Sequence, residues 1–338
     1  MVNILIIGGT KFVGRSIAAE ALERNHDVTL FNRGITNPDA FPEVPVMIGN
    51  RDNVNDLEQI ARSHWDVIID TCGYQPHSVQ KAMDILRNST GKYVFISTCS
   101  VYKDAFKATG VTEESETLKL SEGDESRLHE EGSLPVERYY GELKQLCECE
   151  VMNTFGKDAL IIRPGLIVGP YDPSDRFTYW VERISRGGST LVPDNLDCLI
   201  QFIDVRDLAS WVFTMIEESL NGIWNVVGPT EPLRFGDFLT ECKQTLNSHA
   251  EFVQVSDQFL LENEVQPWME LPLWIPQINS YGLDIRKVKE FGLKTRPLKE
   301  TIKETYEWAS SRDQELKRNA GLDKEKEKRL LNLRVNSH

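Results

Sequence analysis

Short apolar runs alternate with amphipathic stretches over the first half of the chain. The runs at residues 2–7, 26–33, 44–48, 65–70, 93–97 and 159–163 have the length of buried strands and are rich in Val, Ile and Leu. The stretches between several of them carry apolar residues at helical spacing. This alternation predicts an α/β fold, in which a doubly wound parallel sheet is covered by helices on both faces.

The alternation loosens after residue 168, where most of the tryptophans lie. We expect a first domain over residues 1–168, with segments near 200–228 as candidates to complete its sheet. Residues 169–311 are expected to form mainly a smaller, less regular lobe that closes over the sheet edge and supplies the substrate side of a cleft. The remaining residues, 312–338, form a separate charged segment.

Two strongly polar segments interrupt the pattern. Residues 113–137 hold nine Asp/Glu against two Lys/Arg, which predicts a solvent-exposed loop, with a flap over the site as the alternative. Residues 312–338 hold eight Lys/Arg against five Asp/Glu, which predicts an exposed terminal helix or a frayed tail.

Composition narrows the classes of function. A net charge of −14 opposes nucleic-acid binding, and the first residues lack the basic flank of a signal peptide. No apolar run reaches the roughly 20 residues needed to span a bilayer. The six cysteines show no metal-ligand spacing, so we expect no metal site and a reduced, cytoplasmic setting.

A glycine-rich turn follows the first predicted strand and precedes a predicted helix. Glycines let a ligand approach the backbone, and the unpaired N–H groups of a helix N-terminus bind anions. The turn therefore predicts a site for the pyrophosphate of a dinucleotide, although a non-binding structural turn is the alternative. Its residues are Gly8, Gly9, Thr10, Lys11, Phe12, Val13 and Gly14.

Tyr140 and Lys144 are four residues apart in the sequence RYYGELK and would share one face of a helix. A nearby ammonium stabilises a phenolate and lowers the pKa of the tyrosine, which makes it usable as a general acid or base. The spacing alone is common on helix surfaces, so it needs support from other motifs.

Further motifs supply that support: VFISTCSVY at 94–102, RPGLIVGP at 163–170, FIDVRDLA at 202–209 and GIWNVVG at 222–228. Together with the glycine turn and YGELK, these segments resemble the extended short-chain dehydrogenase/reductase superfamily. The resemblance is to its NAD-dependent epimerase/dehydratase family, in the atypical GGTxFxG subgroup, and it runs from residue 1 to about residue 308.

The resemblance implies a Rossmann-type fold with a smaller substrate lobe, a small-molecule substrate and a homodimer. It implies the catalytic residues Thr98, Tyr140 and Lys144. In such an enzyme the tyrosine moves a proton at a substrate hydroxyl or carbonyl while the nicotinamide exchanges hydride at the same carbon. The threonine positions the reacting oxygen, and the lysine holds the nicotinamide ribose.

Other residues are candidates for the same site by their position in these motifs or beside the predicted strands. For the cofactor, besides the turn residues and Lys144, the candidates are Asn32, Arg33, Asn50, Thr71 and Arg163. For the substrate they are Cys99, Ser100, Tyr171, Arg176 and Arg206. Arg206 has an alternative interpretation, an ion pair with Asp204 or Asp207.

The residues around the predicted adenosine end favour NADP(H) over NAD(H). Many NAD-binding relatives carry an acidic residue at the end of the second strand, whereas this chain has Asn32 and Arg33. Lys11 replaces the middle glycine of the family's turn and is a second cation for a 2′-phosphate. The alternative is that both cations are merely solvated.

Departures from the family bear on the reaction. Cys99 and Ser100 replace the acidic pair of sugar-nucleotide dehydratases, and Ile200 replaces an arginine that clamps the diphosphate in nucleotide-sugar epimerases. We expect an NAD(P)-dependent oxidoreductase or epimerase. The alternatives are a nucleotide-sugar epimerase that retains NAD and an RNA-binding protein on a dehydrogenase fold, since the GGTxFxG subgroup also resembles chloroplast stem-loop RNA-binding proteins.

Overall fold

Short strands and helices alternate along the chain. The computed structural model describes residues 1–278, 280–313 and 316–335. The strands are β1 (Asn3–Ile7), β2 (Asp27–Asn32), β3 (Val46–Ile48), β4 (Trp65–Asp70), β5 (Thr90–Ile96), β6 (Thr109–Val111), β7 (Ala159–Pro164), β8 (Ile167–Val168), β9 (Gly188–Pro193), β10 (Leu199–Ile200), β11 (Ile203–Asp204), β12 (Gly222–Val226), β13 (Leu233–Arg234), β14 (Ala250–Val255) and β15 (Gly282–Leu283). The α-helices are α1 (Phe12–Glu23), α2 (Val54–Ala61), α3 (Pro76–Leu86), α4 (Glu122–Glu131), α5 (Val136–Phe155), α6 (Arg176–Ser185), α7 (Val205–Glu217), α8 (Phe235–Thr245), α9 (Asp257–Glu262), α10 (Arg286–Glu290), α11 (Leu298–Ser311) and α12 (Lys324–Val335). Among the described residues, no helix is both long enough and apolar enough to cross a membrane.

Seven parallel strands form the central sheet in the order β12-β7-β5-β4-β1-β2-β3. Successive side chains of a strand point to opposite faces. Ile4 and Ile6 of β1 accordingly pack with residues of α1 and α7, whereas Leu5 and Ile7 pack with residues of α2, α3 and α5. Both faces of the sheet are buried, which confirms the predicted doubly wound α/β fold.

The strand order reverses beside β1, because β2 lies on one side of it and β4 on the other. In open α/β sheets, ligands bind in the crevice outside the carboxyl ends of the strands at such a reversal. The glycine turn follows β1, and Thr71 follows β4, so both lie at this crevice.

A second apolar core lies in the C-terminal half. Helices α6, α8 and α11 contribute to it, and aromatic side chains such as Phe177, Trp180 and Phe238 fill it. The parallel pair β9 and β14 flanks this core. The C-terminal half therefore has a packed apolar interior of its own.

The charged segment at the C-terminus packs on this second core through α12. Leu330 is fully buried there, and the Glu327 carboxylate accepts a hydrogen bond from Arg183 Nε at 2.6 Å. The sequence led us to expect an exposed helix or a frayed tail. The structure differs because α12 covers apolar surface and neutralises a buried cation of α6.

The acidic segment 113–137 contains the helix α4, where we expected a loop. Ser121 caps it by accepting a hydrogen bond from the backbone N–H of Asp124, and Gly132 ends it with a φ of 74°. Acidic residues in the first turn stabilise the positive end of the helix dipole. The helix buries no residue, so its exposure was predicted correctly and its conformation was not.

Candidate active site

The glycine turn brings the first helix against the first strand. Gly8 and Gly9 have φ values of 109° and 90°, in the left-handed region that favours glycine. A Cβ on Gly14 would lie 2.7 Å from the backbone nitrogen of Gly9. The close contact between α1 and the turn therefore depends on glycine at this position.

The N-terminus of α1 is open to a cleft of about 560 Å³. Lys11, the N-cap residue, makes no side-chain capping hydrogen bond, and the first turn holds no acidic residue. The first N–H groups of a helix have no intrahelical partner, and they carry the positive end of the dipole. The turn and this helix end thus fit the pyrophosphate of a dinucleotide.

The structure brings nearly all the predicted cofactor residues to this cleft. Asn32 Nδ2 donates to the Gly8 carbonyl at 3.1 Å, and its Oδ1 accepts from the Gly34 N–H at 2.8 Å, so Asn32 fixes the turn. Thr71 Oγ1 donates to the Ile7 carbonyl at 2.9 Å. The predicted residues that line the cleft are Gly8, Gly9, Thr10, Lys11, Phe12, Val13, Gly14, Asn32, Arg33, Asn50 and Thr71.

The two predicted cations at the cleft, Lys11 and Arg33, are exposed. Neither side chain has a hydrogen bond or an ion pair within residues 1–278, 280–313 and 316–335. Both therefore remain available to a charged ligand.

Arg51, which lines the cleft, forms an ion pair with the buried Asp70, and the sequence did not point to it. Arg51 Nη1 and Nη2 donate to the two carboxylate oxygens of Asp70 at 2.9 and 3.0 Å. Burial opposes ionisation of Asp70, but the Arg51 guanidinium outweighs it and holds the pKa of Asp70 below its ordinary value. The sequence feature that could have indicated this ion pair is Asp70, a carboxylate at the end of an apolar run.

Lys144 is almost completely buried, one helical turn after Tyr140 on α5. Its Nζ donates to the Gly73 carbonyl at 2.8 Å and to the Ile96 carbonyl at 2.6 Å. Burial lowers the pKa of Lys144 to about 8. An ammonium has three donors, so one is left after these two bonds.

Tyr140 lies beside Thr98, as the resemblance implied. Burial raises the pKa of Tyr140, and a side-chain hydrogen bond with Thr98 opposes the rise. We expected the Lys144 ammonium to lower this pKa, but the net shift is upward because burial outweighs the opposing hydrogen bond.

Tyr74 connects the cleft with this pair, and the sequence did not identify it. Its ring lies 6.4 Å from the Tyr140 ring and 5.4 Å from Lys144 Nζ, and it also lines the cleft. It follows β4 by a few residues, and polar residues just after a parallel strand are typical of such sites.

Arg163 does not lie at the cofactor cleft, contrary to the expectation. It is buried, and it donates to Glu148 Oε2 at 2.6 Å and to the Tyr102 hydroxyl at 2.8 Å. Glu148 lies two turns after Tyr140 on α5 and also accepts a 2.5 Å hydrogen bond from Ser97. A buried carboxylate needs a paired cation, and Arg163 provides it.

On the substrate side, Cys99 borders a narrow cavity of about 20 Å³ together with Trp268 and Tyr281. Burial raises the pKa of the Cys99 thiol to about 12, so this group is neutral and a poor nucleophile at neutral pH. Ser100 is half-buried in the 3₁₀ turn that follows Thr98 and does not line this cavity.

Tyr171 and Arg206 lie outside the lining of both cavities. The Arg15 guanidinium lies 4.3 Å from the centre of the Tyr171 ring. Arg206 donates to both oxygens of Asp204 at 2.9 and 2.7 Å and forms an ion pair with Glu304. The structure therefore favours the ion-pair interpretation of Arg206, because two carboxylates neutralise its charge.

The order of the motifs and this geometry agree with a comparison against protein families. Residues 4–227 match the model of the NAD dependent epimerase/dehydratase family. The chain belongs to this family. The resemblance read from the sequence is thereby confirmed.

Two characterised family relatives are similar at low identity. The chloroplast stem-loop binding protein of 41 kDa b from Arabidopsis thaliana is 23% identical over 242 residues, 67% of this chain and 58% of that protein. The mouse (Mus musculus) sterol-4-alpha-carboxylate 3-dehydrogenase, decarboxylating, is 25% identical over 258 residues, 72% of this chain and 69% of that protein. This chain thus covers little more than half of the chloroplast protein's length.

The fold is similar to that of a solved nucleotide-sugar enzyme. The UDP-glucose 4-epimerase from Thermotoga maritima, solved with UDP-glucose, aligns with a TM-score of 0.65 and 16% identity. The alignment covers 91% of this chain and 98% of that chain. At this identity the likeness concerns the fold.

Proposed function

We propose that the protein transfers hydride between a nicotinamide cofactor and an alcohol or carbonyl carbon of a small molecule, with Tyr140 as the acid/base. One observation carries the proposal: the half-buried Tyr140 phenol and the buried Thr98 hydroxyl lie together, one turn from the buried Lys144 ammonium. The crevice at the β1/β4 reversal is reached from this group through Tyr74. The groups that would transfer the proton therefore lie next to the crevice that would bind the cofactor.

The chain offers a distinct surface for each part of the cofactor. The glycine turn and the N-terminus of α1 would hold the pyrophosphate, and Lys144 would hold the nicotinamide ribose with its remaining donor. When bound, the nicotinamide supplies or accepts the hydride.

The raised pKa of Tyr140 keeps its phenol protonated at neutral pH. Tyr140 is therefore ready to donate a proton to a substrate oxygen, as carbonyl reduction requires. In the opposite direction it must become a phenolate, and Thr98 lowers the cost of that step by hydrogen bonding to it. Thr98 would also orient the substrate oxygen.

We propose that the cofactor is NADP(H) in preference to NAD(H). The end of β2 presents Asn32, whose side chain is bonded to the glycine turn and carries no charge to repel a 2′-phosphate. Lys11 and Arg33 are exposed cations on the same cleft. The test compares the dissociation constants of NADPH and NADH, and tighter binding of NADH would overturn the preference.

The role of Tyr140 is tested by replacing it with phenylalanine. Tyr140→Phe should abolish turnover on any substrate found by screening carbonyl compounds with NADPH, and it should leave the fluorescence titration of NADPH unchanged. Tyr139→Phe is the matched control, because the Tyr139 hydroxyl bonds to Asp124 on α4 instead. Near-full activity of Tyr140→Phe would refute the assignment, and failure of the unmodified protein to bind either dinucleotide would refute the proposed function as a whole.

An epimerase that retains NAD is the second candidate, favoured by the likeness to the UDP-glucose 4-epimerase. Ile200, which replaces the diphosphate-clamping arginine, is only 1% exposed and therefore offers nothing to a nucleotide sugar. Mass spectrometry of the supernatant of denatured protein separates the two candidates. Tightly retained dinucleotide supports the epimerase, and an empty site that binds NADPH reversibly supports the reductase.

RNA binding is the candidate from another class, and the name of the chloroplast relative favours it. The net charge of −14 opposes it. Cations of the C-terminal segment are also neutralised within the molecule, since Arg318 pairs with Glu182 and Lys326 pairs with Glu270. A gel shift with stem-loop RNA that stays negative at low salt would eliminate this candidate.

A further inference from the structure

Arg176, the first residue of α6, is a half-buried cation without an ion pair among the residues that the structure describes. Its Nε is buried without a hydrogen-bond partner. Its Nη2 contacts only the Met269 sulfur at 3.7 Å among the bonds found within the described residues. No carboxylate oxygen in that part of the chain lies within ion-pair distance of its guanidinium.

Three other arginines with little exposed surface are paired with carboxylates. Arg51 donates to Asp70 at 2.9 Å, Arg163 to Glu148 at 2.6 Å and Arg183 to Glu327 at 2.6 Å. Removing a charge from water without a partner is costly. A guanidinium with a buried, unpartnered nitrogen therefore points to a ligand rather than to stability.

The carboxylate that acts on Arg176 is Asp172, and it is already engaged. Its two oxygens accept hydrogen bonds from the Ser174 N–H at 2.8 Å and from the Ser174 hydroxyl at 2.9 Å. Burial raises the pKa of Asp172 to about 6. Asp172 thus attracts Arg176 from a distance without capping its donors.

The position of Arg176 relates it to the site. Its guanidinium lies 5.7 Å from the centre of the Trp268 ring, and Trp268 lines the narrow cavity that Cys99 also borders. Cys99 directly follows Thr98 in the chain. Pro173, three residues before Arg176, lines the dinucleotide cleft. Arg176 itself lines neither cavity, but it has one neighbour that lines each of them.

We propose that Arg176 binds an anionic group of the substrate, a carboxylate or a phosphate, while the hydroxyl or carbonyl of that substrate faces Tyr140 and Thr98. This inference rests on the proposed function and adds the chemical class of its substrate. A guanidinium offers donors in a planar fork that matches the geometry of either anion. The Trp268 ring lies beside this group, 5.7 Å from the guanidinium to the ring centre.

The test uses three probes that share an aromatic ring and differ in charge: benzoate, phenyl phosphate and benzyl alcohol. Their binding to the full-length protein is measured by ligand-detected NMR with NADPH at saturation, so that the pyrophosphate site is filled. We expect at least one anion to bind about tenfold more tightly than benzyl alcohol. The comparison of benzoate with phenyl phosphate shows which anion the site prefers.

Three variants identify the residue. Arg176→Met should weaken binding of the preferred anion about tenfold or more. Arg176→Lys should restore part of the lost affinity, because lysine supplies the positive charge but not the planar fork of donors. Arg186→Met is the matched control, since Arg186 is an exposed residue at the other end of the same helix. Thermal unfolding and NADPH titration of each variant report that it is folded.

Equal binding of the preferred anion by the unmodified protein and by Arg176→Met overturns the inference, as does binding of benzyl alcohol as tight as that of the anions. Absence of binding of both anions up to millimolar concentration also overturns it. These outcomes differ from failure of the proposed function, which would appear as loss of NADPH binding in the unmodified protein.

Discussion

Gly14 is the residue on which the cofactor cleft depends most directly. In Gly14→Ala the new methyl group would meet the Gly9 nitrogen at 2.7 Å and the Thr71 hydroxyl at 2.9 Å, so α1 must move away from the turn. We expect a loss of about 1–3 kcal/mol of stability and a marked loss of NADPH affinity. Both are measured on the same samples, by urea unfolding and by fluorescence titration.

Gly123→Ala is the control for this substitution. Gly123 lies in the exposed helix α4, and a Cβ there meets nothing within 4 Å. Alanine should therefore leave NADPH binding unchanged and add about 0.5–1 kcal/mol of stability. An unchanged NADPH affinity in Gly14→Ala would show that α1 does not form the site.

Lys144 makes stability depend on pH in an unusual direction. Burial lowers its pKa from 10.5 to about 8, so between these values the folded protein has lost a proton that the unfolded chain still binds. Stability rises with pH wherever the unfolded state binds more protons. The contribution of Lys144 to the free energy of unfolding is therefore least favourable below pH 8, and it increases as the pH rises from about 8 to 10.5.

The prediction compares urea unfolding of the unmodified protein with that of Lys144→Met. Relative to the variant, the unmodified protein should gain about 3 kcal/mol between pH values near 7.5 and near 10.5. Lys157→Met, at an exposed lysine, should show no such change relative to the unmodified protein. A pH-independent difference between the unmodified protein and Lys144→Met would contradict the lowered pKa.

The role of a residue could be predicted where the residues that indicate it lie close together in the sequence. The glycine turn and the Tyr140–Lys144 pair are each indicated by a few consecutive residues, and in the structure Tyr74 links the pair to the cleft of the turn. Arg163 was misplaced because an arginine's direction depends on carboxylates elsewhere in the fold. Its partner, Glu148, belongs to another element, and the sequence does not show their proximity. For Arg206 the ion pair with Asp204, two residues away, was foreseen as the alternative.

At the scale of elements, α12 shows how a charged segment becomes part of the core. Glu327→Gln would leave Arg183 buried without a counter-charge, which typically costs about 3–5 kcal/mol. We expect a loss of that size in urea unfolding. Glu325→Gln is the matched control on the same helix, because Glu325 is exposed and should change stability by less than about 0.5 kcal/mol.

Equal effects of these two substitutions would show that α12 does not pack on α6 in solution.

The packing of α12 was hard to predict from the sequence because few of its residues are apolar. In a segment dominated by charge, Leu322 and Leu330 supply the buried apolar contacts, and the partners of the charges lie far away in the chain. Strands β1 and β4 were easier to predict, because each contains at least three consecutive apolar residues.

At the scale of the whole molecule, the net charge of −14 opposes the approach of an anionic dinucleotide. At low ionic strength the field of the whole protein acts over about 30 Å, whereas at physiological ionic strength it is screened beyond about 8 Å. We expect the association rate constant of NADPH to increase between about 10 and 150 mM salt. Stopped-flow NADPH fluorescence measures it.

NADH, which carries less negative charge, should show a smaller increase in the same experiment. A rate constant that falls with salt would show that the local field of Lys11, Arg33 and the end of α1 outweighs the net charge. That result would contradict the prediction.

The bonds of Lys144 bear on how related sequences should be interpreted. Its ammonium joins α5 to the ends of β4 and β5 through the Gly73 and Ile96 carbonyls. A descendant of this protein that lost its catalytic activity and only bound a ligand would still need that junction to fold. No comparable structural requirement would preserve the Tyr140 hydroxyl. A lysine at this position is therefore weak evidence of enzymatic activity, and the tyrosine one turn before it is the residue to inspect first.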